Sequence, residues 1–365
     1  VKAASKLTTV LASLAVVAGG AATVAAAPAQ GQTITTHVAT RQIDIASVAR
    51  AHAQVVGAPA GFCVVPKTLT NTVNRTMDCA IEDVTVVALR NGVPEGTAKF
   101  SVYHETHLNL AGVKWSEKVT VGPAAIVGAA GGIETTFIPA CFSSCHVSAS
   151  GALARPFVLG RSSHTGTLNY YFTVSKGLAR ESASRYEMNY LKPGYTPGMT
   201  VAKSATYRCD DEDLQYGAGC VYPQRIAVDA DFNALSPMAA LKGIGDNIRK
   251  VQRAGLHVGK PGGILLTRAT AAQQTKNRDD VCGKAKPKPG DIWWTVIPGN
   301  TNTTPSCDEY PFADVMEGGL TYGPPNRAIK WVPLGENRAQ GGILRTFFGR
   351  YHILPGDKFF ENVGA

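Results

Sequence analysis

The run Ala80-Ile81-Glu82-Asp83-Val84-Thr85-Val86-Val87-Ala88-Leu89, followed at once by Arg90-Asn91-Gly92, decides the reading of the first half of the chain. Its β-branched residues suit an extended, half-buried surface, and Asn-Gly accepts the positive φ values that a tight hairpin turn requires. Working outward, residues 98–103 and 118–121 alternate apolar and polar side chains, and 167–174 and 199–207 are further strand-sized pieces. Gly, Pro and Asn separate them at the spacing of an antiparallel β-sandwich, which is predicted for residues 30–223. Residues 43–56 read as a short helix leading into it.

The 365 residues are enough for two ordinary domains. With 44% hydrophobic and 17% charged residues the chain can bury a core, which excludes wholesale disorder. Residues 1–29 read as a secretory signal peptide: Lys2 and Lys6 precede an uncharged stretch over 7–17, and Ala27-Pro28-Ala29 offers a small-residue cleavage site. That stretch is well short of the roughly 20 apolar residues a membrane span needs, so no stable membrane insertion is expected after cleavage. Val1 reads as a literally translated start codon, so a full precursor is expected. A secreted, extracellular protein meets oxidising conditions, and the eight cysteines, Cys63, Cys79, Cys141, Cys145, Cys209, Cys220, Cys282 and Cys307, are disulfide candidates. Neighbours in sequence would make four short loops, although eight cysteines allow 105 connectivities. Zinc is the competitor at Cys141-x-x-x-Cys145-His146, but no second pair stands at metal-like spacing.

After Pro223 the pattern changes. Ser236-Pro237 offers an N-cap with Pro at the first helical position, and Leu241, Ile244, Ile248 and Val251 recur at helical spacing up to Gly255. Thr270 begins a second helix over 271–281, residues 284–289 form a basic loop, 293–297 a strand and 341–349 a short helix. The boundary falls near 221–227, and residues 224–365 are predicted to form a domain able to fold alone. Charge follows the division: residues 31–223 carry 16 basic and 14 acidic side chains, residues 224–365 carry 18 and 13. The excess of positive charge suits a solvated face or a phosphate-binding surface equally.

The second region also holds three acidic clusters: Cys307-Asp308-Glu309-Tyr310-Pro311-Phe312-Ala313, then Glu317-Gly318-Gly319, then Glu336-Asn337-Arg338-Ala339-Gln340-Gly341-Gly342. Carboxylate and amide oxygens are hard ligands suited to Mg²⁺, Mn²⁺ or Ca²⁺, and Gly pairs let the backbone approach closely or take positive φ. Arginines beside such a cluster suit a phosphate whose charge a metal can share. A metal-assisted phosphodiester hydrolase needs these components, though Asp-Glu-x-Pro also reads as a turn and Glu317-Gly318-Gly319 as an ordinary loop.

These motifs, in this order and spacing, closely resemble the secreted bacterial deoxyribonucleases of the NucA/NucB type. The resemblance extends to Asp246-Asn247-Ile248-Arg249, to 270–280 with the Lys/Pro loop after it, and to Gly356-Asp357-Lys358-Phe359-Phe360 as a closing strand. It implies a small ββα-metal (His-Me finger-like) nuclease domain over 224–365, which together with the N-terminal antiparallel β-sandwich read from the strand pattern makes an α+β chain. It also implies endonucleolytic cleavage of DNA with a divalent cation, Mg²⁺ or Mn²⁺, and no obligate protein partner is inferred. The position of the general base, a His in most ββα-metal enzymes, falls on Asp308. Asn337 matches the metal-binding Asn of the following helix, and Glu309 and Glu317 would complete the acidic pocket, Glu317 as a metal ligand with Asn337. Arg278, Arg338, Gln340 and Arg345 are the expected DNA contacts, and Cys282–Cys307 the disulfide bracing the motif. Tyr310 stands where some members carry Trp, and Met316 where some carry a second acid. The rival reading is a non-catalytic extracellular module that holds DNA or another polyanion.

Two further signals are set aside. His104-Glu105-Thr106-His107 misses the zinc-helix spacing by one residue, and in a strand its two His face opposite sides. Trp293-Trp294 reads as a core strand before a base-stacking platform.

Overall fold

The computed structural model describes residues 31–51, 57–213, 215–286 and 304–365. The expected signal segment, the end of the expected 43–56 helix and the expected 293–297 strand lie outside them. Among the described residues no helix is long and apolar enough to cross a membrane.

Two large antiparallel sheets form the body of the N-terminal region. The larger runs in the order Gln32–Gln42, Met77–Arg90, Val93–His107, Lys114–Val121, His164–Phe172, Cys145–Gly151, with Ala125–Gly128 also paired to Val93–His107. The smaller is Gly198–Lys203, Ser184–Leu191, Glu134–Cys141, Phe157–Val158. Their inner faces share one core, with Val84, Phe100, Val119 and Leu168 from the first and Phe137, Tyr186 and Met188 from the second. The hairpin turn lies where Asn-Gly predicts it, with φ of 49° at Asn91 and 79° at Gly92.

The expected 199–207 strand is two. Gly198–Lys203 stays in the smaller sheet until Ser204 folds back, its Oγ accepting from Ser184 N at 2.8 Å. Tyr207–Asp210 then enters a third sheet between Ala179–Ser182 and Gly219–Val221. His104 and His107 end up on opposite sides of their strand, the first buried against Glu117 and the second exposed beside Glu105.

A second core begins at Ala227 and holds Ile244, Ile248, Tyr310, Val332, Leu344, Phe347 and Phe359. Ser236 caps a short 3₁₀ turn, Pro237–Ala240, and the helix proper is Lys242–Gln252. Thr270 accepts from Gln273 N, as a cap should, and starts helix Ala271–Val281. Strands Pro305–Tyr310 and Ala328–Pro333 pair antiparallel and lead straight into helix Leu334–Arg350. That helix begins earlier than the expected 341–349: its Gly pair is a poor helix former, but Leu344, Phe347 and Phe348 anchor the stretch in the core. Closing strand Lys358–Phe360 pairs with Ala227–Val228 and Leu266–Thr267.

All four disulfides join sequence neighbours: Cys63–Cys79, Cys141–Cys145, Cys209–Cys220 and Cys282–Cys307.

Candidate active site

Alternation along strand Pro305–Tyr310 sends its acidic pair two ways. Asp308 and Tyr310 share the face toward helix Lys242–Gln252. There Asn247 reaches Asp308, and Gln252 donates to the Tyr310 hydroxyl at 3.1 Å. Cys307 and Glu309 share the face toward helix Ala271–Val281, where Cys307 is bonded to Cys282 and Glu309 meets the charge of Arg278. The start of helix Leu334–Arg350 lies beside the start of the strand, and Asn337 Nδ2 ties the two together through Ser306 Oγ at 2.8 Å and the Cys307 carbonyl at 2.9 Å.

Asp308 is 1% exposed. Its Oδ2 accepts from Asn247 Nδ2 at 2.7 Å and its Oδ1 from Gln340 Nε2 at 2.8 Å. Burial pushes its pKa up to about 7, against the pull of those two amide donors. Glu309 is pushed up to about 8, first by burial and then by the charge of Asp308, with Arg278 opposing. Burial thus pushes two neighbouring carboxyl groups up toward neutrality.

Both residues line one cleft of about 550 Å³, with Arg278, Asp314, Asn337, Arg338 and Gln340. Gly341 sits on the same wall, and a Cβ there would meet nothing within 4 Å, so this side of the helix is open to a ligand. Gln340, expected at the DNA, lines the cleft, is 7% exposed and has its amide on Asp308.

Two expected members of the site stand elsewhere. Glu317 does not line the cleft; its two oxygens accept from Thr267 N at 2.7 Å and Thr267 Oγ1 at 2.9 Å. The following Gly pair is shaped by Asn277, which donates to the carbonyls of Ala313 and Val315. A Cβ on Gly319, at φ +63°, would lie 2.6 Å from its amide oxygen. The whole motif thus braces the chain that follows the acidic strand. Arg345 is likewise outside the cleft lining and acts by its charge on Asp314, together with Arg278 and Arg268.

Sequence reasoning missed Asp314 and Asn247. Asp314 is one residue beyond the Cys307–Ala313 motif, and burial raises its pKa against those three arginines. The Asp246-Asn247 pair was visible only as part of an amphipathic helix, and nothing in its spacing aims Asn247 at a carboxylate sixty residues away.

Residues 254–360 match the family model of the deoxyribonucleases NucA/NucB. The C-terminal region carries a NucA/NucB-type domain. No curated protein matches the chain. The matched stretch contains Arg278, Asp308, Glu309, Asn337 and Arg338, while Asn247 and the whole β-sheet region lie before it.

The donor set of this NucA/NucB-type cleft fits a divalent ion. Glu309 offers a buried carboxylate, and the Asn337 amide oxygen accepts no hydrogen bond among the described residues. These are hard oxygen ligands. Cys282 and Cys307 lie within 4.8 Å of the Glu309 carboxylate, but they are bonded to each other and so provide no thiolate.

Proposed function

We propose that the protein is a secreted, divalent-metal-dependent endonuclease that hydrolyses DNA phosphodiester bonds in this cleft. On this reading residues 1–29 are removed, 30–223 form the sandwich domain, and 224–365 form a ββα-metal nuclease domain. The strand–strand–helix order of Pro305–Tyr310, Ala328–Pro333 and Leu334–Arg350 supports the last assignment. Four disulfides support an oxidising destination.

The observation that carries the proposal is Asp308, a buried carboxylate with each oxygen fixed by an amide, at the wall of a cleft also lined by Arg278 and Arg338. Held near neutral pKa, it accepts the proton of the attacking water while remaining largely ionised above pH 7. Arg278 and Arg338 orient the phosphate and neutralise the charge that grows on its oxygens as one P–O bond forms and the other breaks. Asn337 and Glu309, with Asp314 beside them, would hold the ion. When bound, a divalent cation supplies Lewis acidity at the scissile phosphate and lowers the pKa of its water.

Supercoiled plasmid is the test, incubated with mature protein in Mg²⁺ or Mn²⁺ and in EDTA. Nicking and linearisation with metal, abolished by EDTA, is the expected result. A well-folded Asp308→Asn protein should lose about 10²–10⁴-fold in rate. Plasmid left intact under all metals would instead mark a DNA- or polyanion-binding module.

A further inference from the structure

The Asp308 carboxylate is clamped from two sides by two different helices. Gln340, on helix Leu334–Arg350, lies inside the stretch that matches the nuclease family, but Asn247, on helix Lys242–Gln252, lies outside it. We infer that Asn247 is a positioning residue for the hydrolysis, making helix Lys242–Gln252 part of the active unit; the inference rests on the hydrolase reading above.

Three observations support it. Asn247 is 2% exposed, and its amide nitrogen makes two contacts to the same residue, 2.7 Å to Asp308 Oδ2 and 3.3 Å to the Asp308 carbonyl. It therefore fixes both the side-chain torsion of Asp308 and the local strand. The helix that carries it is itself anchored: Ile244, Ile248 and Val251 are fully buried in the core. At the helix start the Gly243 N–H donates to Glu336 at 2.9 Å, linking it to the first turn of the helix that bears Asn337 and Gln340. Finally, a carboxylate has about four acceptor positions, and two are taken here by donors that cannot be lost with pH. Holding both oxygens fixes the orientation of the carboxylate before substrate arrives.

Removing the amide frees Asp308 to rotate without touching the arginines that grip DNA, so the loss belongs in kcat and not in KM. Misplacing a reacting group by about 1 Å costs on the order of 10²-fold. The experiment measures kcat and KM on supercoiled plasmid for wild type, Asn247→Ala, Gln340→Ala and the double variant, each checked by thermal melt. Expected is a fall in kcat of about 10–100-fold for Asn247→Ala with KM within about twofold. Gln340→Ala should show the same signature, and the double variant should lose less than the product of the two, since both act through one carboxylate. Asn247→Ser keeps a short polar side chain in the helix and takes over the comparison if Asn247→Ala fails to fold. Wild-type kcat in a folded Asn247 variant, a loss confined to KM, or fully multiplicative losses would each overturn the inference. Wild-type protein that leaves DNA intact would overturn the hydrolase reading and this inference with it, whereas an active wild type confines any failure to Asn247.

Discussion

Replacing Arg75 by Met tests how far the nuclease region depends on the β-sheet region. Arg75 sits in the short helix Asn71–Thr76 and is wholly buried. Its guanidinium donates to the carbonyls of Tyr351 (3.2 Å), Pro223 (3.3 Å), Arg225 (2.9 Å) and His352 (2.8 Å), and to Asp357 Oδ2 (3.0 Å). Arg208, also from the N-terminal side, holds both oxygens of Asp357 at 2.8 Å. Burial alone would raise the Asp357 pKa, but the Arg208 hydrogen bonds and the charges of both arginines hold it below the usual carboxylate range. His352 completes the network: its ring nitrogens lie 2.7 Å from Asp210 Oδ1 and 2.9 Å from the Leu110 carbonyl.

Met conserves much of the side chain's length and removes every donor. Breaking one partner out of a buried ion pair costs about 3–5 kcal/mol. Because Arg208 remains on Asp357, the lower end is expected from the pair itself, with the stranded carbonyls adding to it. At about 2–4 °C per kcal/mol for a chain of a few hundred residues, the melting temperature should fall by about 10 °C. Thermal and urea melts of the mature chain read this directly, with plasmid cleavage at 25 °C as a check on the folded fraction. An Arg75→Met protein melting within about 2 °C of wild type would refute the reasoning. The same network bears on the expectation that residues 224–365 fold alone. That fragment keeps Asp357 and lacks both arginines, so it should be markedly less stable than within the whole chain, even if the two-domain division we propose is correct.

Replacing Cys282 and Cys307 together by Ser should destabilise by about 3 kcal/mol in the chain-entropy account of a 25-residue separation, read by urea melts with and without reductant. Asn337→Ala should lose activity that partly returns at high Mn²⁺, because it removes a proposed ligand and leaves Asp308 in place; loss unaffected by metal concentration would remove it from the ion. In EDTA, stability should fall as pH rises from about 4 to 8. Asp308 and Glu309 titrate near 7 and 8 when folded but near 4 when unfolded, so over that window the folded chain holds more protons and each increment of pH favours unfolding. Urea midpoints across that range that stay level or rise would contradict the burial of these two groups.

What the sequence made legible followed from short-range rules. The Asn91-Gly92 turn, the Thr270 cap and the pairing of neighbouring cysteines each depend on a few adjacent residues, and the structure places them so. The division of residues 199–207 was not legible, because Ser204 ends its strand by bonding to Ser184, twenty residues earlier. Nor was the Arg75–Arg208–Asp357 cluster, since a charged residue in sequence carries no mark of whether its partner will bury it.

The acidic motifs show the same limit at the site itself. Asp308, Glu309 and Glu317 look alike in sequence, three of the four carboxylates between 308 and 317, yet each has a different occupation. The parity of a strand separates the first two: Asp308 must face the helix that its even-numbered neighbour Tyr310 faces, and Glu309 must follow Cys307 toward the disulfide. Glu317 lies past the strand, where the backbone turns, and a carboxylate beside an unpaired N–H binds it; Thr267 supplies one along with a hydroxyl. On the proposed reading chemistry falls to the acid whose oxygens are fixed by side-chain amides, Asp308, held by Asn247 and Gln340 from two different helices. A motif can name the carboxylates, but only the packing of those helices decides which one is buried and held at both oxygens.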